Sequence, residues 1–154
     1  MPRLVLSLFC QQVVVDQSTN NLSVINQYDE LLSAPPPASL GMDKTKTVVA
    51  PLQCALLTIW ERSKPEIAES SSMVVQLFSP AGKKVAEFSF HLDMRKFKRV
   101  RSIGNLPGLP VVGEGVYKFV IRARHGTKWK RAGVVTYTLK YVVPEPAKGR
   151  RKLN

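Results

Sequence analysis

Apolar and polar residues alternate with a period of two along most of this chain, and short runs rich in Gly, Pro, Asn, Asp and Ser separate the alternating stretches. The first stretch is RLVLSLFCQQ, Arg3 to Gln12. Leu4, Leu6, Leu8 and Cys10 fall on one face of an extended chain, and Val5, Ser7 and Phe9 on the other. Both faces are largely apolar, which predicts a strand covered on both sides or lying near the centre of a sheet. DQSTNN, Asp16 to Asn21, is a polar turn cluster, and a second strand from Leu22 to about Tyr28 completes a hairpin. The segment around Pro35-Pro36-Pro37 is a loop, because three successive prolines cannot sit in a central strand. Leu52 to Trp60 reads as a buried strand, and the polar residues after it, Ser70-Ser71-Ser72 included, as exposed loop.

Two further hairpins carry stronger signals. Ser79-Pro80-Ala81-Gly82 has the residue order of a type I turn and joins Met73–Phe78 to a strand in which Ala86, Phe88, Phe90 and Leu92 alternate with polar neighbours. In the last hairpin Tyr117, Phe119, Ile121 and Ala123 share a face, opposite Lys118, Arg122 and Arg124. Its return strand carries Val135, Tyr137, Leu139 and Tyr141 in step. If the loop is His125–Thr127, Arg124 opposes Lys128, Arg122 opposes Lys130, and Trp129 joins Tyr117 and Phe119 in the core. Residues 93–104 suit a helical turn or an edge strand equally. About seven or eight strands with short turns and almost no helix predict an all-β protein: one antiparallel β-sandwich, immunoglobulin-like or C2-like, over residues 1–143, followed by a basic tail at 144–154.

GEGVYKF, Gly113 to Phe119, resembles the approach to a late strand in immunoglobulin-like sandwiches, with Gly113 where an acidic residue is usual. The resemblance implies that Tyr117 closes a corner by bonding backbone. LFCQQVVVDQSTNNLSVINQYDEL, SPAGK and GVYKFVIR together resemble an uncharacterised family of bacterial β-sandwich proteins, with Gln11 where an acidic residue would follow the cysteine. That likeness implies a fold and no activity.

Arg3 to Cys10 also has the outline of a lipoprotein export signal. Its apolar run is shorter than the ~7–15 residues such a signal uses, and Phe9 stands where a small residue should precede the cut. The strand reading needs no such exceptions. It predicts a cytoplasmic chain in which Cys10 and Cys54, each in an apolar run, are buried reduced thiols. No stretch reaches the ~18 apolar residues of a membrane span, so no membrane partner is expected.

Charge changes the picture. The net charge is +12. Residues 1–82 hold five Lys/Arg against seven Asp/Glu, and residues 83–154 hold eighteen against four. Such asymmetry points to an anionic partner, most often nucleic acid. The basic residues form three groups: Arg95, Lys96, Lys98, Arg99 and Arg101, with Phe97 among them; Lys118, Arg122, Arg124, Lys128 and Lys130 in the last hairpin; and the tail, with Lys148, Arg150, Arg151 and Lys152. Phosphates would supply affinity without sequence reading, and Phe97 or Trp129 could stack on bases. The rival reading is a protein-interaction or scaffold domain that docks through the proline loop and Leu31, Leu32 and Leu40.

The supply of catalytic groups is thin. His91 and His125 have no partners at metal-ligand spacing, and the chain has no Glu-x-Lys. GEGVYK lacks the third glycine of a dinucleotide loop and leads into a strand. The expectation is a non-enzymatic binding domain with no catalytic, metal or cofactor site.

Overall fold

The computed structural model describes residues 1–35 and 47–142. Eleven strands occur among them: β1 (Arg3–Val15), β2 (Leu22–Gln27), β3 (Glu30–Ser33), β4 (Val48–Ala50), β5 (Cys54–Glu61), β6 (Glu69–Phe78), β7 (Lys84–Met94), β8 (Arg99–Leu106), β9 (Leu109–Val111), β10 (Gly115–His125) and β11 (Lys128–Tyr141). They form two facing sheets, ordered β2-β1-β5-β8 and β3-β11-β10-β6-β7, with a small β4-β9 ribbon. The pairings are antiparallel except that of β3 with β11, which is parallel. The number exceeds seven or eight because β3, β4 and β9 are pieces of three or four residues, too short to show a period. Of residues 93–104, which suited helix or strand, Asp93 and Met94 end β7, and those from Arg99 onward pair with β5 in edge strand β8. Ser70-Ser71-Ser72, expected in a loop, lie in β6 opposite Asp93, Leu92 and His91. The ladder overrides their polar composition.

The core lies between the sheets, where alternate residues of each strand meet. Phe9, Leu56 and Trp60 come from one sheet, and Val75, Leu77, Tyr117, Phe119, Ile121 and Tyr137 from the other. Phe9 packs its ring 5.0 Å from Phe119 and 4.8 Å from Tyr137. A bulge in β1 interrupts the expected alternation: Leu4 pairs Trp60 and Leu6 pairs Ile59, so Val5 is the extra residue. Leu4 therefore packs on the core with Phe9 and leaves the face of Leu6, Leu8 and Cys10.

Cys10 is fully buried although it faces away from the second sheet, as do its pair Ala55 and Leu57. The cover is the far half of the β1–β2 hairpin. Asn26 in β2 takes a left-handed conformation (φ 49°) and donates from Nδ2 to Gln11 Oε1 at 2.7 Å. The chain bends there, because asparagine tolerates that conformation at small cost. The turn is held together by Asp16, whose carboxylate accepts from Ser18 and Thr19 and is lowered to about 2 by those bonds. It ends beside β8, where Arg101 donates to the Asn20 carbonyl at 2.9 Å and to its side-chain oxygen. Along the strip of β1 that faces away from the core, Cys10 is buried, Leu8 half-buried and Leu6 exposed.

Cys10 and Cys54 are both free, and they project to opposite faces of the sheet. Burial raises both thiols, Cys54 to about 11. Native protein should therefore react slowly with a thiol reagent near pH 8, and both cysteines should react rapidly once the protein is denatured, because the thiolate is the nucleophile. Fast labelling of both in the native protein would show that the hairpin does not cover Cys10.

Candidate functional site

The β10–β11 hairpin ends in a two-residue turn, Gly126-Thr127, with φ 61° at Gly126, and His125 pairs Lys128. The register then runs Arg124 opposite Trp129, Ala123 opposite Lys130 and Arg122 opposite Arg131. Between Ile121–Gly133 and Arg122–Arg131 it shifts by one, with Ala132 as the bulged residue. A one-residue slip exchanges the faces of every residue beyond it. Lys128 and Lys130 therefore lie on the face of Ala123, not with Arg122 and Arg124 as a three-residue loop would require. Trp129, expected in the core, is 44% exposed. Arg131, not among the expected site residues, takes the outward place opposite Arg122. A signal for it was present in Ala132-Gly133, since a glycine inside a strand pattern often marks a bulge or a close approach. Here it marks both: a Cβ on Gly133 would meet Leu4 Cδ2 at 2.5 Å.

The outward face of the five-stranded sheet thus presents Arg122, Arg124, Arg131 and Trp129 at one end, with Lys118 further along β10. Arg122 donates from Nε to Gln76 Oε1 at 3.2 Å, and Arg124 from Nε to the Gly126 carbonyl at 3.1 Å. Both partners are neutral. Among the described residues, no carboxylate pairs with Arg122, Arg124, Arg131, Lys118, Lys128 or Lys130. Arg122 and Arg131 stand directly opposite each other, a like-charge pair that costs stability unless water or an anion relieves it.

The first basic group is arranged differently. Arg99 and Arg101 lie on the outward face of the other sheet, beside Glu61 and Ile59. Arg95 is spent on Asp93, bonding it from Nε at 2.9 Å and from its terminal nitrogen at 2.6 Å, which holds that carboxyl well below its ordinary range. Arg99 and Arg3 both bond Glu61 and lower its pKa in that order. Lys96 and Lys98 are exposed in the β7–β8 turn with Phe97, which is 62% exposed and helps line a cleft of about 590 Å³ under the hairpin turn at Asn20 and Leu22. Arg99 and Arg101 therefore face the opposite side of the sandwich from Arg122 and Arg131. Arg150 and Arg151 of the tail fall outside the described residues, as do Pro36, Pro37 and Leu40 of the proline loop. Of that loop's apolar neighbours, Leu31 is buried in the core, against expectation, and Leu32 is 64% exposed.

Glu61 reports on which group meets an anion. Its folded pKa is depressed, so its contribution to stability is present above the ordinary carboxylate range and fades as pH falls through the folded value. Glu61→Gln frees Arg3 and Arg99 without touching the hairpin. Affinity for a polyanion should stay within about twofold if the hairpin is the surface. A rise by the salt dependence of two added contacts, about 1.8 in log–log slope on duplex DNA, would move the site to the other face.

Ser70 Oγ lies 3.2 Å from His91 Nε2 on the outward face of the five-stranded sheet. The nearby Asp93 carboxylate is taken up by Arg95, so it is not bonded to the imidazole. Among the described residues, no three His, Cys, Asp or Glu side chains are grouped to hold a metal ion.

Tyr117 is fully buried at the start of β10. Its hydroxyl donates to the Gly113 carbonyl at 2.8 Å and accepts from Val112 N–H at 2.6 Å. Gly113, at φ 78°, makes the turn that brings its carbonyl back to the ring. A tyrosine at this corner, bonding backbone a few residues upstream, belongs to one architecture of facing sheets. The fold is an immunoglobulin-like β-sandwich. No family model matches the chain, and no curated protein does. Among solved structures it is similar to an immunoglobulin-like protein from Pseudomonas aeruginosa, with 11% identity over 91% of this chain and 97% of that one and a TM-score of 0.41.

Proposed function

We propose that this protein is a non-enzymatic binding domain that uses the outward face of its β10–β11 hairpin to hold a polyanion, nucleic acid in particular, without reading sequence. The supporting observation is the cross-strand pair Arg122–Arg131, flanked by Arg124 and matched by no carboxylate among the described residues. A phosphate backbone supplies what that arrangement lacks, a row of negative charge that neutralises neighbouring guanidiniums together. Such contacts position a nucleic acid and carry no base information. The cytoplasm is the compartment we propose, on the strength of two free buried cysteines.

The test is binding of labelled oligonucleotides of several sequences at a series of salt concentrations. Affinity should be nearly indifferent to sequence and should fall linearly in log–log form, by about 0.9 per phosphate contact on duplex DNA. Absence of binding at low salt would overturn the proposal, and the protein-interaction reading would replace it.

A further inference from the structure

We infer that Trp129 stacks on the bases of single-stranded nucleic acid while Arg122, Arg124 and Arg131 hold its backbone; this rests on the polyanion reading and narrows it. Trp129 is half-exposed at the end of a sheet whose other face buries Tyr117, Phe119 and Tyr137 completely. It takes part in none of the aromatic pairs among the described residues. Its cross-strand partner is Arg124, and Arg131 follows it on the same face of β11. The indole is thus framed by guanidiniums.

Access to base faces decides between single and double strands. Same-face residues on a strand recur every ~6.8 Å. Arg122 and Arg124, and likewise Trp129 and Arg131, are such neighbours. The guanidiniums beside the indole can therefore meet successive phosphates, and only unstacked bases offer a π-face to an exposed indole. A duplex would present phosphates but no open base.

The two tryptophans make the inference directly readable. Trp60 is fully buried and Trp129 is not, so quenching by acrylamide reports Trp129. Three probes are compared at one salt concentration: a fifteen-residue oligo(dT), the corresponding duplex, and heparin, a polyanion without bases. Oligo(dT) should bind more tightly than the duplex and shield Trp129 from acrylamide. Trp129→Ala should weaken oligo(dT) by roughly 5- to 150-fold, the range of one stacked base, and leave heparin within about twofold. Trp129→Phe should keep most of the affinity, since a ring remains. Equal losses for oligo(dT) and heparin, or no loss for either, would overturn stacking and leave polyanion binding standing. Failure of wild-type protein to bind all three probes at low salt would overturn both.

Discussion

Charge reversal of Arg122 and Arg131 together should lower the affinity for oligonucleotides by about tenfold or more at low salt. The log–log salt slope should flatten by about 1.8 on duplex DNA, or about 1.4 on single strands, the share of two phosphate contacts. These two residues face each other across the ladder and have no carboxylate partner among the described residues, so the change acts on the anion and breaks no ion pair. Two glutamates there repel as two arginines did, so the like-charge cost within the fold is carried over. The thermal midpoint should accordingly move by no more than a few degrees, which separates loss of binding from loss of structure. Reversal of Lys128 and Lys130 on the opposite face is the comparison. An equal loss from that pair would mean that net charge, not the face of Arg122, governs binding.

Tyr117→Phe should cost about 1–3 kcal/mol, because the Val112 N–H and the Gly113 carbonyl lose their shared partner inside the protein. At ~2–4 °C per kcal/mol for a chain of this size, the midpoint should fall by several degrees. Tyr137→Phe is the contrasting change. The two rings stack 5.1 Å apart and both are buried, yet the Tyr137 hydroxyl has no hydrogen-bond partner among the described residues. Removing it takes away an unmet polar group, so Tyr137→Phe should be neutral or stabilising. If both variants melt within about 0.5 kcal/mol of wild type, as surface changes do, the Tyr117 hydroxyl is solvated and the corner is not closed.

The contrast between these tyrosines marks where sequence stops being informative. Both alternate in step with apolar neighbours, so both are legible as core. Only Tyr117 has a turn of Gly113, Glu114 and Gly115 before it, and that turn was the readable sign of a bonded hydroxyl. The Pro80–Gly82 hairpin was equally legible, and Gly82 N–H donates to the Ser79 carbonyl at 2.9 Å as a type I turn requires.

By itself the sequence determined the all-β class, the three hairpins, the core face of β10, the burial of Cys10 and the concentration of charge in the second half, because each follows from alternation, turn chemistry or composition, all local properties of the chain. The tertiary structure alone decided which cations share a surface. At the bulge of Ala132, Gly133 passes within reach of Leu4, a residue more than a hundred positions away, and the slip there puts Trp129 and Arg131 outward and Lys128 and Lys130 on the other side. The bulge at Val5 likewise moved Leu4 into the core, and the bent β1–β2 hairpin, pinned by Arg101 on Asn20, covered a face that alternation could only report as apolar. Parity along a strand is a local rule, and each of these contacts joins parts of the chain that the rule does not connect.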